Sequence, residues 1–234
     1  MTITTKILHI YELLIKTFGH QNWWPGDTID EIIIGAILTQ NVSWNNVEKA
    51  IENLKQHNLC TIEQIHHSHI EKITPLIRST LYFNQKAKKL KNFTEFLYTH
   101  YNGDVCKMFQ TETGTLRKQL LQIKGIGEET ADSTLLYAGE KTVFVIDAYT
   151  KRIFSRMGLT KPDWTYTEYQ QFFMESLPED IGLYNDFHAQ IVNLGKSICR
   201  KDPLCNDCPL NNFCEKKCKV DNCPPSNQSP KLGD

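Results

Sequence analysis

Six of the chain's eight cysteines fall between Cys199 and Cys223, and four of them, Cys199, Cys205, Cys208 and Cys214, are spaced C-x5-C-x2-C-x5-C. Thiolates this close suit a metal that prefers soft sulfur, either zinc or an iron–sulfur cluster. Zinc sites usually bring two separated ligand pairs, whereas here four ligands lie within 16 residues around a single C-x2-C, which tilts the choice slightly toward iron and sulfur. Reduced thiols without metal are the plainer alternative, although proteins of reducing compartments rarely crowd cysteines so tightly. Arg200, Lys201, Lys216 and Lys217 interleave with the thiolates, so the wrapped loop is expected to be basic, or else simply a soluble exposed tip. Cys218 and Cys223 read as spare, and Cys60 and Cys106 as small core residues.

A second feature with chemical potential is Leu120 to Ala131, which reads as helix, Gly-Ile-Gly turn, helix, with Lys124 just ahead of Gly125 and Gly127. Two glycines permit positive φ and leave backbone N–H groups bare at a helix start. Such a start can hold an anion such as a phosphate, while a tight turn that packs two helices is the alternative. Twenty residues beyond Gly127 stands Asp147, at a good N-cap position for a helix from Ala148 to about Met157.

The elements that must position these groups are helical. Ile7, Tyr11, Leu14 and Phe18 recur at i, i+4, i+7 and i+11, one apolar face of an opening helix. Thr28 with Glu31 reads as a capping box ahead of Ile32 to Leu38, apolar on every side and so a core helix. Ser43 caps a helix through about Gln56, Thr61 with Gln64 repeats the box, and a long helix from Tyr82 ends near Tyr101 at Asn102-Gly103. Helical pattern returns after Trp164 and around Asn185 to Lys196. The one strand-like run, Thr142 to Ile146, is too isolated to build a sheet. No internal repeat is visible, and the chain beyond Lys217 turns to Pro, Ser, Asn and Lys, the composition of a loose tail. The expected class is all-α.

Composition narrows the classes. The chain has 234 residues, 26 Lys+Arg against 27 Asp+Glu, a net charge of −1 and 40% hydrophobic residues, an ordinary soluble globular balance with enough length for a real core. The longest apolar run, Ile32 to Leu38, is seven residues against the ~18 of a membrane span. Met1 to Lys6 lacks the basic and apolar regions of a signal peptide, so a cytoplasmic protein is expected. Net charge names no partner, because averages hide local patches.

Taken together, the Gly-Ile-Gly turn, Asp147 twenty residues on and the cysteine cluster about fifty residues later resemble, in kind and order, the helix-hairpin-helix DNA glycosylases of the endonuclease III superfamily. Ile37-Leu38-Thr39-Gln40-Asn41 looks like that family's early core helix, ending in the Gln that fills the gap left by an extruded base. The resemblance runs from about Trp23 to Cys214. It implies two helical domains with a DNA cleft between them: a six-helix barrel with the hairpin over residues 22–135, and a discontinuous domain of residues 1–21 and 136–217 carrying a [4Fe–4S] cluster, with 218–234 as tail. It assigns Cys199, Cys205, Cys208 and Cys214 to the cluster, although the family's common spacing has six residues between the first two cysteines and here there are five. It assigns Gly125, Gly127 and Lys124 to a DNA phosphate. The implied partner is double-stranded DNA with a damaged base, bound by a nucleoid-associated monomer.

For Asp147 the implied role is catalytic. Cleaving an N-glycosidic bond builds oxocarbenium-like charge on the sugar, which a fixed carboxylate can stabilise, or it can activate water. An ordinary N-cap is the alternative. The main departure is Glu129, where bifunctional members carry a Schiff-base lysine two residues past the second Gly. A carboxylate forms no imine, so a monofunctional enzyme that leaves an abasic site is expected, with Lys124 or Lys141 as substitute amines to test.

Trp23, Trp24, Pro25 and Trp44, grouped around Gln40, resemble the 3-methyladenine DNA glycosylase III branch, in which aromatics sandwich the flipped base. An alkylated purine is cationic and gains on the order of 1–2 kcal/mol on indole faces. The same Trp could instead cap the barrel core. The rival substrates are oxidised pyrimidines or mismatched thymine, and the rival class is a non-catalytic DNA-binding iron–sulfur protein, favoured if Asp147 points away from the cleft. Arg78 to Lys89 also looks family-like; Lys86, Lys88, Lys89 and Lys91 either follow a phosphate backbone or solvate a helix face.

Overall fold

The computed structural model describes residues 2–215, so the tail of residues 218–234, with Cys218 and Cys223, and the Lys216–Lys217 pair lie outside the described residues. Those described are helical with no strand. No helix among them is long and apolar enough to cross a membrane.

Helix α1 (Ile3–Phe18) buries Ile7, Ile10 and Leu14 and starts where the Thr2 hydroxyl accepts from Thr5 N. Thr28 caps α2 (Ile29–Leu38) by accepting from Glu31 N, but the box closes on one side only. The Glu31 carboxylate accepts from Asp27 N at 3.1 Å and pairs with Lys55 at 2.6 Å, because a cation outcompetes the cap amide. Helix α3 (Trp44–Gln56) follows Ser43 with no side-chain cap, and the short α4 (Ile62–His67) and α5 (Ile70–Ile73) lead to α6 (Phe83–Tyr101). Asn102 at φ 55° and Gly103 at φ 78° stop α6 in the left-handed region.

Two lysines of the basic stretch on α6, Lys86 and Lys91, differ from both expectations, whereas Lys88 is exposed and Lys89 lines the cavity described below. Lys86 is buried, and its ammonium donates to the carbonyl of Leu38 at the end of α2 and to that of Thr80. Lys91 donates to the carbonyls of Ile65, His66 and Ser68 at the end of α4. Both cations serve orphan helix-end carbonyls inside the protein, a use that charge patterning cannot distinguish from solvation.

The chain continues through α7 (Val105–Phe109), α8 (Thr113–Gln122) and α9 (Glu128–Ser133), which runs on as one π turn over Thr134–Ala138. Then come α10 (Ala148–Arg156), α11 (Tyr166–Ser176) with a complete Thr165/Glu168 capping box, and α12 (Ile181–Ser197).

Burial divides between two apolar clusters. One gathers α2 to α9 around Ile33, Ile37, Val47, Leu54, Leu90, Phe93 and Leu120. The other packs α1 against α11 and α12 around Ile7, Leu14, Phe144, Phe154, Phe173 and Phe187, with Phe144 stacked on Phe173 at 4.3 Å. Each fully buried side chain of this size contributes about 1.5–3 kcal/mol. The π turn is the switch between clusters: Leu135 and Ala138 point into the first, Leu136 and Tyr137 into the second. Residues Val143 to Ile146 are buried without forming a strand among the described residues, so their β-branched run reflects burial rather than a sheet.

Candidate active site

Asp147 caps α10 through one carboxylate oxygen only. Oδ1 accepts from Thr150 N at 2.7 Å and Thr150 Oγ1 at 2.8 Å. Among the described residues Oδ2 makes no hydrogen bond; it faces Nε2 of His188 at 3.8 Å, and Asp147 lines a cavity of about 1080 Å³. Capping and chemistry are therefore compatible uses of the same side chain.

The loop leading to Asp147 is held from behind. Arg117 on α8 grips Asp132 on α9 through two hydrogen bonds of 2.6 and 2.9 Å, and Gln170 on α11 donates to Asp132 at 2.7 Å and to the Phe144 carbonyl at 2.9 Å. The Ile146 amide donates to the Tyr166 hydroxyl at 3.2 Å.

The hairpin turn forms one rim. Gly125 has φ 99°, and a Cβ there would stand 2.6 Å from Lys89 Cγ. Gly127 has φ −97° and open space around a would-be Cβ, so only the first glycine uses the freedom expected of both. Gly127 starts α9 with no side-chain cap and, with Gly125, lines the cavity. Lys124 does not line it, although its carbonyl accepts from Asn92 at 2.8 Å. Gln40 is tied to the hairpin: Nε2 donates to Thr130 Oγ1 at 2.7 Å and to the Gly125 carbonyl at 3.4 Å, and Oε1 accepts from Lys89.

Three tryptophans form the opposite wall. Trp23, Trp24 and Trp44 meet edge to face with centroids 5.0–5.1 Å apart. Trp24 lies against Gly35, where a Cβ would be 3.0 Å from its Nε1, and 5.2 Å from the Tyr137 ring. Trp44 donates to Glu48 at 2.7 Å. Pro25 lines a separate, smaller cavity of about 480 Å³ behind Trp24 and Trp44.

The charges in the main cavity perturb one another. Glu129 keeps solvent contact at the mouth, yet the protein around it and then the Asp147 carboxylate push its carboxyl up to about 7, with Lys151 opposing. Lys196 Nζ sits 5.8 Å from the Trp23 ring centroid; desolvation lowers its pKa, while Asp147 and Glu48 pull the other way. Burial likewise lowers the His188 pKa against the pull of Asp147.

Residues 34–179 match the family described as HhH-GPD superfamily base excision DNA repair protein. A Methanocaldococcus jannaschii protein provisionally named a DNA repair glycosylase is 47% identical over 90% of this chain and 96% of its own length. The chain belongs to this superfamily.

It is a DNA repair glycosylase of that superfamily, with the all-helical fold of endonuclease III. Among solved structures, a 3-methyladenine DNA glycosylase of Helicobacter pylori bound to 1,N6-ethenoadenine superposes with a TM-score of 0.71 at 27% identity, over 84% of this chain and 98% of that one. An endonuclease III trapped on DNA superposes with a TM-score of 0.78 at 21% identity, over 92% and 97%.

In this HhH-GPD chain Cys199, Cys208 and Cys214 of the loop after α12 pack against the second cluster. Among the described residues no three His, Cys, Asp or Glu side chains converge as a formed metal site. The four thiols are nonetheless neighbours: burial, and then Cys199, Cys205 and Cys214, push the Cys208 thiol up to about 11. Arg156 Nη1 lies 3.5 Å from Cys199 Sγ and donates to the Arg200 carbonyl at 2.6 Å.

Sequence reasoning did not find Tyr137, His188 or Lys196. His188, Val192 and Lys196 line the cavity at i, i+4 and i+8 along one stripe of α12, a spacing visible in the chain but indistinguishable there from a solvated face. Tyr137 had no local signal at all, because the π turn aims it.

Proposed function

We propose that this glycosylase is monofunctional and hydrolyses the N-glycosidic bond of an alkylated purine in double-stranded DNA. The observation that carries the reading is one cavity lined both by Asp147 and by Trp23, Trp24 and Trp44. A flipped base enters against the indoles. Gln40 leaves Thr130, Gly125 and Lys89 to fill the gap in the duplex, and the Gly125–Gly127 turn with Lys124 takes a backbone phosphate. Asp147 stabilises the developing sugar cation while water attacks, because Glu129 stands where a lyase presents its amine. The purine derivative bound by the Helicobacter glycosylase supports this choice of substrate.

In the same reading, residues 22–135 form the barrel with its hairpin and residues 1–21 with 136–217 the other domain, acting as a monomer on the cytoplasmic nucleoid. Cys199, Cys205, Cys208 and Cys214 would hold a [4Fe–4S] cluster: four soft thiols are neighbours, and the Arg156 guanidinium beside Cys199 suits thiolate charge. When bound, such a cluster supplies a rigid knot and a one-electron redox centre.

One observation favours a second substrate class. The Lys196 ammonium lies over Trp23, where it would repel a cationic base and donate to an oxygen on a neutral one, as in oxidised pyrimidines. The test is excision from duplexes carrying single defined lesions. Release of 3-methyladenine, weakened in Trp24→Ala with undamaged-duplex binding spared, supports the purine reading. Release of thymine glycol alone, lost in Lys196→Met, replaces it with the pyrimidine one. Full excision by Asp147→Asn overturns both.

A further inference from the structure

We propose that Tyr137 and His188 form a buried positioning pair that presents a neutral Nε2–H to Oδ2 of Asp147 and so orients this carboxylate toward the sugar. The proposal rests on the reading of Asp147 as the catalytic carboxylate.

The direction of each proton follows from the contacts. Tyr137 OH lies 2.5 Å from Nδ1 of His188, and among the described residues no other hydrogen bond holds that hydroxyl. Desolvation, reinforced by Asp147 and Glu129, raises the phenol's pKa well above its ordinary value, so the phenol keeps its proton and donates it to Nδ1. The ring must then carry its own hydrogen on Nε2. That atom is buried without a hydrogen-bond partner, 3.8 Å from Oδ2. Oδ1 is already engaged by two Thr150 donors. One unused donor thus faces one unused acceptor, and a shift of about 0.8 Å brings them within hydrogen-bond range.

A neutral ring suits the chemistry. An imidazolium beside Asp147 would cancel the negative charge that the sugar cation needs, whereas a neutral donor fixes the carboxylate and leaves its charge. The groups facing His188 are Tyr137 from the π turn, Asp147 from the start of α10 and Lys196 from its own helix, with Glu129 beyond Asp147. Burial and Lys196 favour the neutral ring, and Asp147 opposes them. The π turn makes the pair possible by sending Tyr137 into the second cluster while its neighbour Ala138 stays in the first.

The test is single-turnover excision of the enzyme's best lesion from about pH 5.5 to about pH 9, with affinity for an abasic-analogue duplex measured alongside. His188→Leu should lose on the order of 10- to 100-fold in rate with affinity little changed. His188→Gln, whose amide also donates, should recover most of that loss. Tyr137→Phe frees Nδ1 to take a proton, so the acidic limb of the profile should move to higher pH. Full rate in His188→Leu, no recovery in His188→Gln, or an unmoved limb in Tyr137→Phe overturns the pair while leaving Asp147 catalytic. Should leucine prevent folding, Tyr137→Phe alone decides. Full rate in Asp147→Asn overturns the underlying reading, and the pair with it.

Discussion

Arg117 and Asp132 are joined by a two-pronged ion pair, Nε to Oδ1 at 2.6 Å and Nη2 to Oδ2 at 2.9 Å, and the Asp132 side chain has no exposed surface. The pair clamps α8 to α9 across the hairpin. Through Gln170, which bridges Asp132 and the Phe144 carbonyl, it also supports the loop that ends at Asp147. Asp132→Ala leaves the guanidinium without its buried partner and removes the Gln170 anchor. The expected cost is about 3–5 kcal/mol of stability, read as a lower urea midpoint. Arg117→Ala, which strands the fully buried carboxylate, should cost a similar amount.

The product of turnover should be an intact strand with an abasic site, cut only after hot alkali. Borohydride present during turnover should trap no protein–DNA adduct, because Glu129 cannot form an imine. If an adduct does form, Lys196 and Lys89 are the amines to replace first. Both line the cavity and both have pKa values lowered chiefly by desolvation, whereas Lys124 and Lys141 do not line it.

Glu129 makes stability depend on pH. Although Glu129 keeps solvent contact, the protein packed around its carboxyl and then Asp147 raise it from 4.5 to about 7. Between these values the folded protein binds more protons than the unfolded chain. The stability tied to the protonated carboxyl is therefore fully present below about 4.5 and lost as pH rises through about 7. Glu129→Gln copies the protonated form at every pH. Its urea midpoint relative to wild type should rise between about pH 5 and about pH 8 and then level off; a constant difference would contradict the shift.

Anaerobically purified protein should be brown, absorb broadly near ~400 nm and hold about four irons per chain. One zinc and no iron would contradict the iron–sulfur assignment. Cys205→Ser should lose the metal and weaken DNA binding more than it slows the chemical step.

What the chain determines by itself is local. Helix positions follow from apolar spacing and from caps: Thr2, Thr28, Thr61, Asp147 and Thr165 each accept from a first-turn amide, and Asn102-Gly103 stops α6. Glu129 and Asp147, singled out in the sequence by residue type at a fixed separation from the Gly-Ile-Gly turn, both line the cavity. Tertiary structure decided which side chains share a cavity. Lys86 and Lys91 look like any surface lysines until a helix end from elsewhere in the chain supplies their carbonyl partners. Pro25 falls behind the tryptophan wall, Lys124 falls outside the cavity, and Lys196 lies within it. Tyr137 and His188 meet across 51 residues of sequence. Capping and periodicity act within a turn or two of helix, whereas desolvation and cross-cavity pairing arise only once distant helices pack.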